Sequence, residues 1–487
     1  MNKLASSSLR QRAVAGGRWT AVSAIVGVAV QVGQLALLGR LLGPTDFGLM
    51  AMLMVVIGLF GLLADLGVGN FIVQTRDFTA NQLGGLLLVC GGISLLLGVG
   101  VVFISPWVSA YYRAPVLEHL LPAMAFIIAA TAMGQIYFSL LQREMCFRAI
   151  AIGEVVASLS GLGASVILAL HGEGIWALMI GQWVATLGRA SCYWLASISI
   201  LRPKFPLGLS ELRASLRFGS FQMGERLLNY AGWNVDKLIV GRLLGDSTLG
   251  IYSVAYQLVM RPFNILNPVF TRVALPLLAR IQDDDLRLRR GYLKLSRTIA
   301  AVSFPVYVLM SVCSEAIIEL LLGSKWTEAA SLLSTLSLLG FVFALGNPIG
   351  TLILAKGRAD IGLYYNVIAV SVYSLSIYVG SHFGLQGVAT GFVFAATFVL
   401  FPLEFLLRWH LVRMPALEYV RAVGKIILAA ALSIGMAMVA AQLAIPAYGI
   451  MALALLKGAV ALVTYVSLLC FLEKALVKET CQLIGHK

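Results

Sequence analysis

Residues 223–237 read MGERLLNYAGWNVDK and place Glu225, Arg226, Asp236 and Lys237 inside a run otherwise apolar enough to cross a membrane. Two carboxylates and two cations at this spacing could neutralise one another or line a water-filled cavity. On a helix turning about 100° per residue, Glu225, Asp236, Asn229, Trp233, Arg226, Lys237 and Tyr230 share one side, within about 140° of arc. The other side carries Leu227, Leu228, Ala231, Val235, Leu238 and Ile239, and Asn234 marks the boundary. Sequence neighbours point about 100° apart, so Glu225–Arg226 and Asp236–Lys237 pair poorly within one helix. A charge at the bilayer centre costs about 2.5–3.5 kcal/mol. Water in a cavity offsets that cost, as does pairing with a neighbouring helix. The stripe reads as the lining of a wet cavity, with mutual neutralisation as the alternative.

The elements that must position it follow from composition. The chain has 487 residues, of which 60% are hydrophobic and only 12% charged, and its mean hydropathy is +0.91. A soluble domain carries roughly twice that charge fraction. The expected class is an all-α polytopic membrane protein. About fourteen stretches are long enough to span: 19–39, 47–66, 83–105, 119–141, 149–170, 175–200, 218–242, 249–271, 295–322, 329–354, 361–382, 384–407, 420–442 and 447–471. Most reach about 20 residues, the length needed for roughly 30 Å of hydrocarbon. Nothing alternates over about ten residues as outer-membrane barrel strands do. The apolar run behind Lys3, Arg10, Arg12 and Arg18 is too long for a signal-peptide core, so a retained first helix is expected. Six cysteines (90, 146, 192, 313, 470 and 481) lack pairing or CxxC spacing and read as small core residues.

Most of the 36 Lys and Arg fall in the amino terminus, alternate loops and the carboxyl terminus. The opposite loops hold Arg40, Arg113, Arg242 and Lys325, while Arg189, Arg226, Lys237, Arg261 and Lys457 sit within spans. This alternation puts both termini in the cytoplasm. It also accounts for the +14 net charge without nucleic acid as a partner.

The segment GRLLGPTDFG at 39–48 returns as GRLLGDSTLG at 241–250, an offset of 202 residues. Six spans separate the copies, which makes a parallel repeat related by a pseudo-two-fold axis along the membrane normal. Two pseudo-symmetric six-helix bundles around a central cavity are expected. Residues 1–200 form the N-terminal bundle, 201–217 a cytoplasmic linker and 218–410 the C-terminal bundle, and 411–487 add helices 13 and 14 with a tail. Arg40 and Arg242 read as guanidinium groups snorkelling at the outer surface. Under the same offset Ser23, Gly27, Gln31 and Gln34 match Glu225, Asn229, Trp233 and Asp236, a milder polar stripe on the first helix.

Other intramembrane charges join the candidates. Arg261 opens RPFNILNPVFTR, where Pro262 and Pro268 should bend the helix. Asp65 ends the second span, and Arg189 lies deep in the sixth. Glu154 adjoins the small-residue ladder Gly153, Ala157, Gly161 and Ser165, itself read as a packing seam. Glu404 and Lys457 either pair or snorkel. No Walker motif, HExxH or GxSxG occurs, and the five histidines lack ligand spacing. Neither a cofactor nor a metal is expected, and an enzyme is not. Glu315, Glu319 and Glu328 are a weak candidate for catalytic outer-loop carboxylates.

The run GRLLGPTDFG, then ADLGVGNFIVQ at 64–74, FGSFQMGERLLNYAGWNVDKLIVGRLLG at 218–245, YSVAYQL at 252–258 and AKGR at 355–358 resemble a known family. It is the polysaccharide-transport branch of the multidrug/oligosaccharidyl-lipid/polysaccharide superfamily, in particular Wzx-type flippases of the colanic acid exporter kind. The resemblance covers most of the chain through about residue 410. It implies alternating access in the cytoplasmic (inner) membrane and, as cargo, an oligosaccharide repeat unit on a polyprenyl diphosphate. It also implies partners: membrane lipids, a polysaccharide polymerase and chain-length machinery. Arg226, Lys237 and Arg261 match the role of diphosphate ligands, with Asn229, Trp233, Gln31, Gln34 and Arg189 as further substrate contacts. Glu225, Asp236, Asp65 and Glu154 match the role of ion-coupling acids. The additional helices 13 and 14 are similar in number to those of the lipid II flippase, without a motif match. Two other readings stand beside this one. A cation-coupled drug exporter predicts an acidic, aromatic cavity; a membrane polymerase or glycosyltransferase predicts catalytic outer-loop carboxylates.

Overall fold

The computed structural model describes residues 2–65, 67–75, 78–204, 227, 229–443 and 449–473, with side chains described from residue 18 onward except at 21 and 70. Helices fill it, and no strand occurs among the described residues. In chain order they are α1 (Asn2–Leu41), α2 (Pro44–Asp65), α3 (Val68–Gln74), α4 (Ala80–Tyr112), α5 (Leu117–Arg143), α6 (Phe147–Leu170), α7 (Ile175–Ser197) and α8 (229–244). There follow α9 (Asp246–Ala279), α10 (Asp285–Val312), α11 (Ser314–Leu321), α12 (Thr327–Ala355), α13 (Ala359–Ser381) and α14 (Gly384–Phe394). A π-helical turn, Ala395–Leu400, joins α14 to α15 (Phe401–Val412), and α16 (Ala416–Leu443) and α17 (Ile450–Leu472) are the last described helices.

Eleven described helices are long and apolar enough to cross a membrane. Three of the fourteen stretches counted in the sequence are not among them. They correspond to α7, α8 and α9, the helices that carry Arg189, then Asp236 with Lys237, then Arg261. α7 and α9 are long enough but fall short in mean hydropathy, while α8 is described only over 229–244, too short a stretch to be counted.

Two compact units divide the chain, Met1–Gly250 and Ile251–Lys487. In the first, the ladder on α6 does act as a seam: Gly153, Ala157, Gly161 and Ser165 are all buried. A Cβ on Gly161 would lie 2.7 Å from Cβ of Ala185 and 2.8 Å from the carbonyl oxygen of Gly181, both on α7. Only small residues allow backbones this close, and such contact replaces the hydrophobic drive that lipid removes. α4 opens on a capping box, in which Thr79 Oγ1 accepts from the Gln82 amide at 3.2 Å and Gln82 Oε1 accepts from the Thr79 amide at 3.0 Å. Its other end is held by Arg242, whose Nη1 donates to the carbonyls of Ala110 at 3.1 Å and of Tyr111. The Arg242 guanidinium also lies 5.5 Å from the Tyr111 ring centre. Arg242 therefore caps a helix C-terminus, where orphan carbonyls and the helix dipole favour a cation, rather than snorkelling.

The repeated motif has a structural counterpart within this unit. A Cβ on Gly48 would collide with the carbonyl of Asp246, and one on Gly250 with the carbonyl of Pro44. The 202-residue offset carries Pro44 onto Asp246 and Gly48 onto Gly250, so the two collisions are one contact seen from both sides. Here α2 and the start of α9 cross as a local pseudo-two-fold pair, at a distance only glycine permits.

In the second unit α10 is central, packing on α12, α16 and α17. Tyr292, Phe304, Leu345, Leu352, Tyr419, Ile426 and Tyr465 belong to one buried cluster. Tyr419 on α16 donates to the Leu345 carbonyl at 2.8 Å, and Tyr465 on α17 to that of Ala301 at 3.3 Å. The last two helices are thus built into this core. α9 is one continuous helix through Pro262, Pro268 and Pro276.

Candidate functional site

In the first unit α2, α5, α6 and α7 enclose a cavity of about 520 Å³. Apolar walls come from residues such as Ile57, Ile127 and Ile128, and Gly61, where a Cβ would meet nothing, keeps space open. Polar groups converge on it from all four helices: Asp65 of α2, Thr131 and Gln135 of α5, Glu154 of α6, and Gln182, Thr186, Arg189 and Tyr193 of α7. Arg189 Nε lies 3.3 Å from Glu154 Oε2, with side chains 42% and 38% exposed. The Tyr193 hydroxyl donates to Glu154 Oε1 at 2.7 Å. Glu154 is therefore fixed by a cation and a phenol while its surroundings stay open. Asp65, Glu154 and Arg189, three separate candidates in the sequence, line this one space. Gln135, Gln182 and Tyr193 were not among the candidates; their signal is polar side chains in mid-span on otherwise apolar helices.

The stripe on α8 meets α2 along one edge. The Tyr230 hydroxyl donates to the carbonyls of Met54 at 3.1 Å and Val55 at 2.9 Å, and Gly58 leaves room for the ring. At the other edge Asp236 is buried, 4% exposed. Between them Trp233 stands 55% exposed, with Asn229 half-buried. Lys237 Nζ donates to Asn234 Oδ1 at 2.8 Å, and Asn234 in turn donates to the Tyr230 carbonyl at 2.9 Å. The polar face is narrowed by packing on both flanks and accessible along its middle. Glu225 and Arg226 lie outside the described residues. On α1, Gln31 is exposed and Gln34 half-buried.

The second unit, taken alone, holds Arg261 half-buried on α9 and a sealed ionic cluster. Arg408 Nη2 donates to Glu404 Oε2 at 2.6 Å, one helical turn away on α15. Tyr365 of α13 donates to Glu404 Oε1 at 3.0 Å, and Arg408 Nε donates to the Tyr292 hydroxyl at 2.9 Å. The guanidinium lies 4.1 Å from the Tyr419 ring centre and within 5.5 Å of those of Phe401 and Phe405. Gly346 makes room for the carboxylate, since a Cβ there would sit 2.6 Å from Glu404 Oε1. Glu404 thus pairs with Arg408 and Tyr365, not with Lys457. Glu315, Glu319 and Glu328 are exposed and line no described cavity.

Comparison with known proteins agrees with this architecture. Residues 37–331 match the family described as polysaccharide biosynthesis protein. The chain is 29% identical over 387 residues to the lipopolysaccharide biosynthesis protein WzxC of Escherichia coli (strain K12), covering 79% of each protein. It is 30% identical over 371 residues to the teichuronic acid biosynthesis protein TuaB of Bacillus subtilis (strain 168), covering 76% of this chain and 77% of TuaB. The fold is similar to that of a structure of the lipid II flippase MurJ solved in its inward closed conformation. The TM-score is 0.73 at 15% identity, over 95% of this chain and 100% of that one.

Proposed function

This chain belongs to the polysaccharide biosynthesis protein family, and we propose that it is a flippase for oligosaccharide repeat units carried on a polyprenyl diphosphate. The lipid-linked unit passes from the inner to the outer leaflet of the cytoplasmic membrane by alternating access. Both chain termini face the cytoplasm, and a polysaccharide polymerase with its chain-length machinery receives the product. The relatives' roles in lipopolysaccharide and teichuronic acid biosynthesis support a glycan cargo.

The observation that carries this reading is a pair of cations on long helices of such a chain: Lys237 on α8 and Arg261 on α9. A diphosphate cannot enter hydrocarbon, yet it can follow a wet cationic lane while its prenyl tail stays in lipid. Arg meets phosphate with a bidentate fork and Lys with a point charge. In this mechanism Arg226, Lys237 and Arg261 hold the diphosphate, and Asn229, Trp233, Gln31, Gln34 and Arg189 complete the headgroup contacts. Glu225, Asp236, Asp65 and Glu154 are the groups that would couple transport to protons or sodium. No catalytic step is required, so the protein acts as a carrier.

The test is transport of lipid-linked oligosaccharide in proteoliposomes. Arg261→Ala should slow it about tenfold or more, the worth of one charge-assisted contact of roughly 1.5–3 kcal/mol. Wild-type rates in both Arg226→Ala and Arg261→Ala would remove these residues from the path.

A further inference from the structure

The first unit's cavity is poorly suited to an anion. Two carboxyl groups, those of Asp65 and Glu154, line it beside one guanidinium, and that guanidinium already faces Glu154 at 3.3 Å. Like charges at close range disfavour a diphosphate here. What the cavity offers is neutral polarity. The side-chain amides of Gln135 on α5 and Gln182 on α7 line it, and neither bonds to another described residue. Each amide supplies an acceptor oxygen and an NH₂ donor. The Thr131 hydroxyl spends its proton on the Ile127 carbonyl at 2.8 Å, which turns its oxygen into an acceptor. Phe138 adds an aromatic wall.

We propose that this cavity is a glycan subsite, taking an uncharged portion of the cargo's oligosaccharide while the diphosphate is held elsewhere. Sugar hydroxyls donate and accept at once, which matches paired amides, and the apolar face of a pyranose ring matches an aromatic wall. The volume of about 520 Å³ falls within the roughly 300–1,000 Å³ typical of small-molecule sites. Gln135 and Gln182 are the specificity-determining residues. Glu154, held by Arg189 and Tyr193, excludes acidic sugars from this position. The inference rests on the flippase reading and narrows it.

The experiment is a fluorescence titration of the full-length protein in detergent with two probes. One is polyprenyl diphosphate without sugar; the other is the same lipid bearing the repeat unit, extracted from the native host. Wild type should bind the glycan-bearing lipid about tenfold more tightly than the bare lipid, equivalent to about 1.4 kcal/mol. A Gln135→Leu/Gln182→Leu variant should bind the bare lipid as wild type does and lose the preference. A preference that survives in the variant, or equal binding of both probes by wild type, overturns the subsite and leaves the flippase reading standing. Wild type binding neither probe sinks the flippase reading, and the subsite with it. If the leucine pair does not fold, Gln135→Asn and Gln182→Asn keep the amide but withdraw it. Each should then cut the preference about threefold, and an unchanged preference in both overturns the proposal.

Discussion

Each unit contains a glutamate, an arginine and a tyrosine joined side chain to side chain, and the two sets differ in nearly everything but composition. In the first, Tyr193 bonds Glu154 across 39 residues of sequence; in the second, Tyr365 bonds Glu404 across the same 39. A shift of 211 residues carries Glu154 onto Tyr365 and Tyr193 onto Glu404, so acid and phenol have exchanged helices while the bond persists. The arginine does not follow the shift: it lies four residues before Tyr193 in one case and four after Glu404 in the other. The surroundings diverge. Arg189 and Glu154 are 42% and 38% exposed and border a cavity, whereas Arg408 and Glu404 are 1% and 7% exposed and roofed by aromatic rings. One set of groups, placed in water or in packing, becomes a site in the first case and a strut in the second. A buried ion pair is tolerated when hydrogen bonds satisfy its remaining groups; here Tyr365 serves Glu404 Oε1 and Tyr292 serves Arg408 Nε, while Arg408 Nη1 faces the aromatic rings without a hydrogen-bond partner among the described residues.

The comparison breaks most easily at its buried end. Arg408→Leu leaves a carboxylate in dry surroundings and should destabilise the protein by about 3–5 kcal/mol, read as a fall in thermal stability in detergent. Adding Glu404→Leu should restore most of the loss; a double variant no better than the single would show that the pair is not sealed. The phenols give a smaller contrast. Tyr365→Phe removes a bond to a buried charge and should cost about 1.5–3 kcal/mol, against about 0.5–1.5 kcal/mol for Tyr193→Phe, where Glu154 keeps access to the cavity. Equal costs would remove the distinction between the units. Smallest of all is Arg189→Ala, whose half-exposed pair should contribute only about 0–1 kcal/mol of stability.

Much of this was legible in the sequence. Apolar runs located eleven of the membrane helices, and the repeat GRLLGPTDFG/GRLLGDSTLG was visible, but the reciprocal contact of Gly48 and Gly250 that it makes was not. The cluster around Arg408 was not legible. The apolar run ends near residue 407, which reads Arg408 as an interface charge, but the helix continues to Val412 with Arg408 fully buried. Its shielding comes from Tyr292 and Tyr419, 116 residues before it and on the following helix, and no local pattern announces such a cage. The first unit's site was partly visible. Asp65, Glu154 and Arg189 stood out as intramembrane charges, but their convergence depends on the packing of α2, α6 and α7. Gln135 and Gln182 are too common as single polar residues in a span to be noticed alone. On α8 the angular pattern identified the polar face; the burial of Asp236 and the anchoring of Tyr230 follow from where α2 and α4 lie against it.

The central claim is that the open set serves transport and the sealed set does not. Its most direct measurement is the rate of lipid-linked oligosaccharide flipping in proteoliposomes, per folded protein, for Glu154→Gln/Arg189→Gln beside Glu404→Leu/Arg408→Leu. The account predicts a loss of about tenfold or more in the first and a rate near wild type in the second. A wild-type rate in the first pair, with the loss falling on the second, would contradict it.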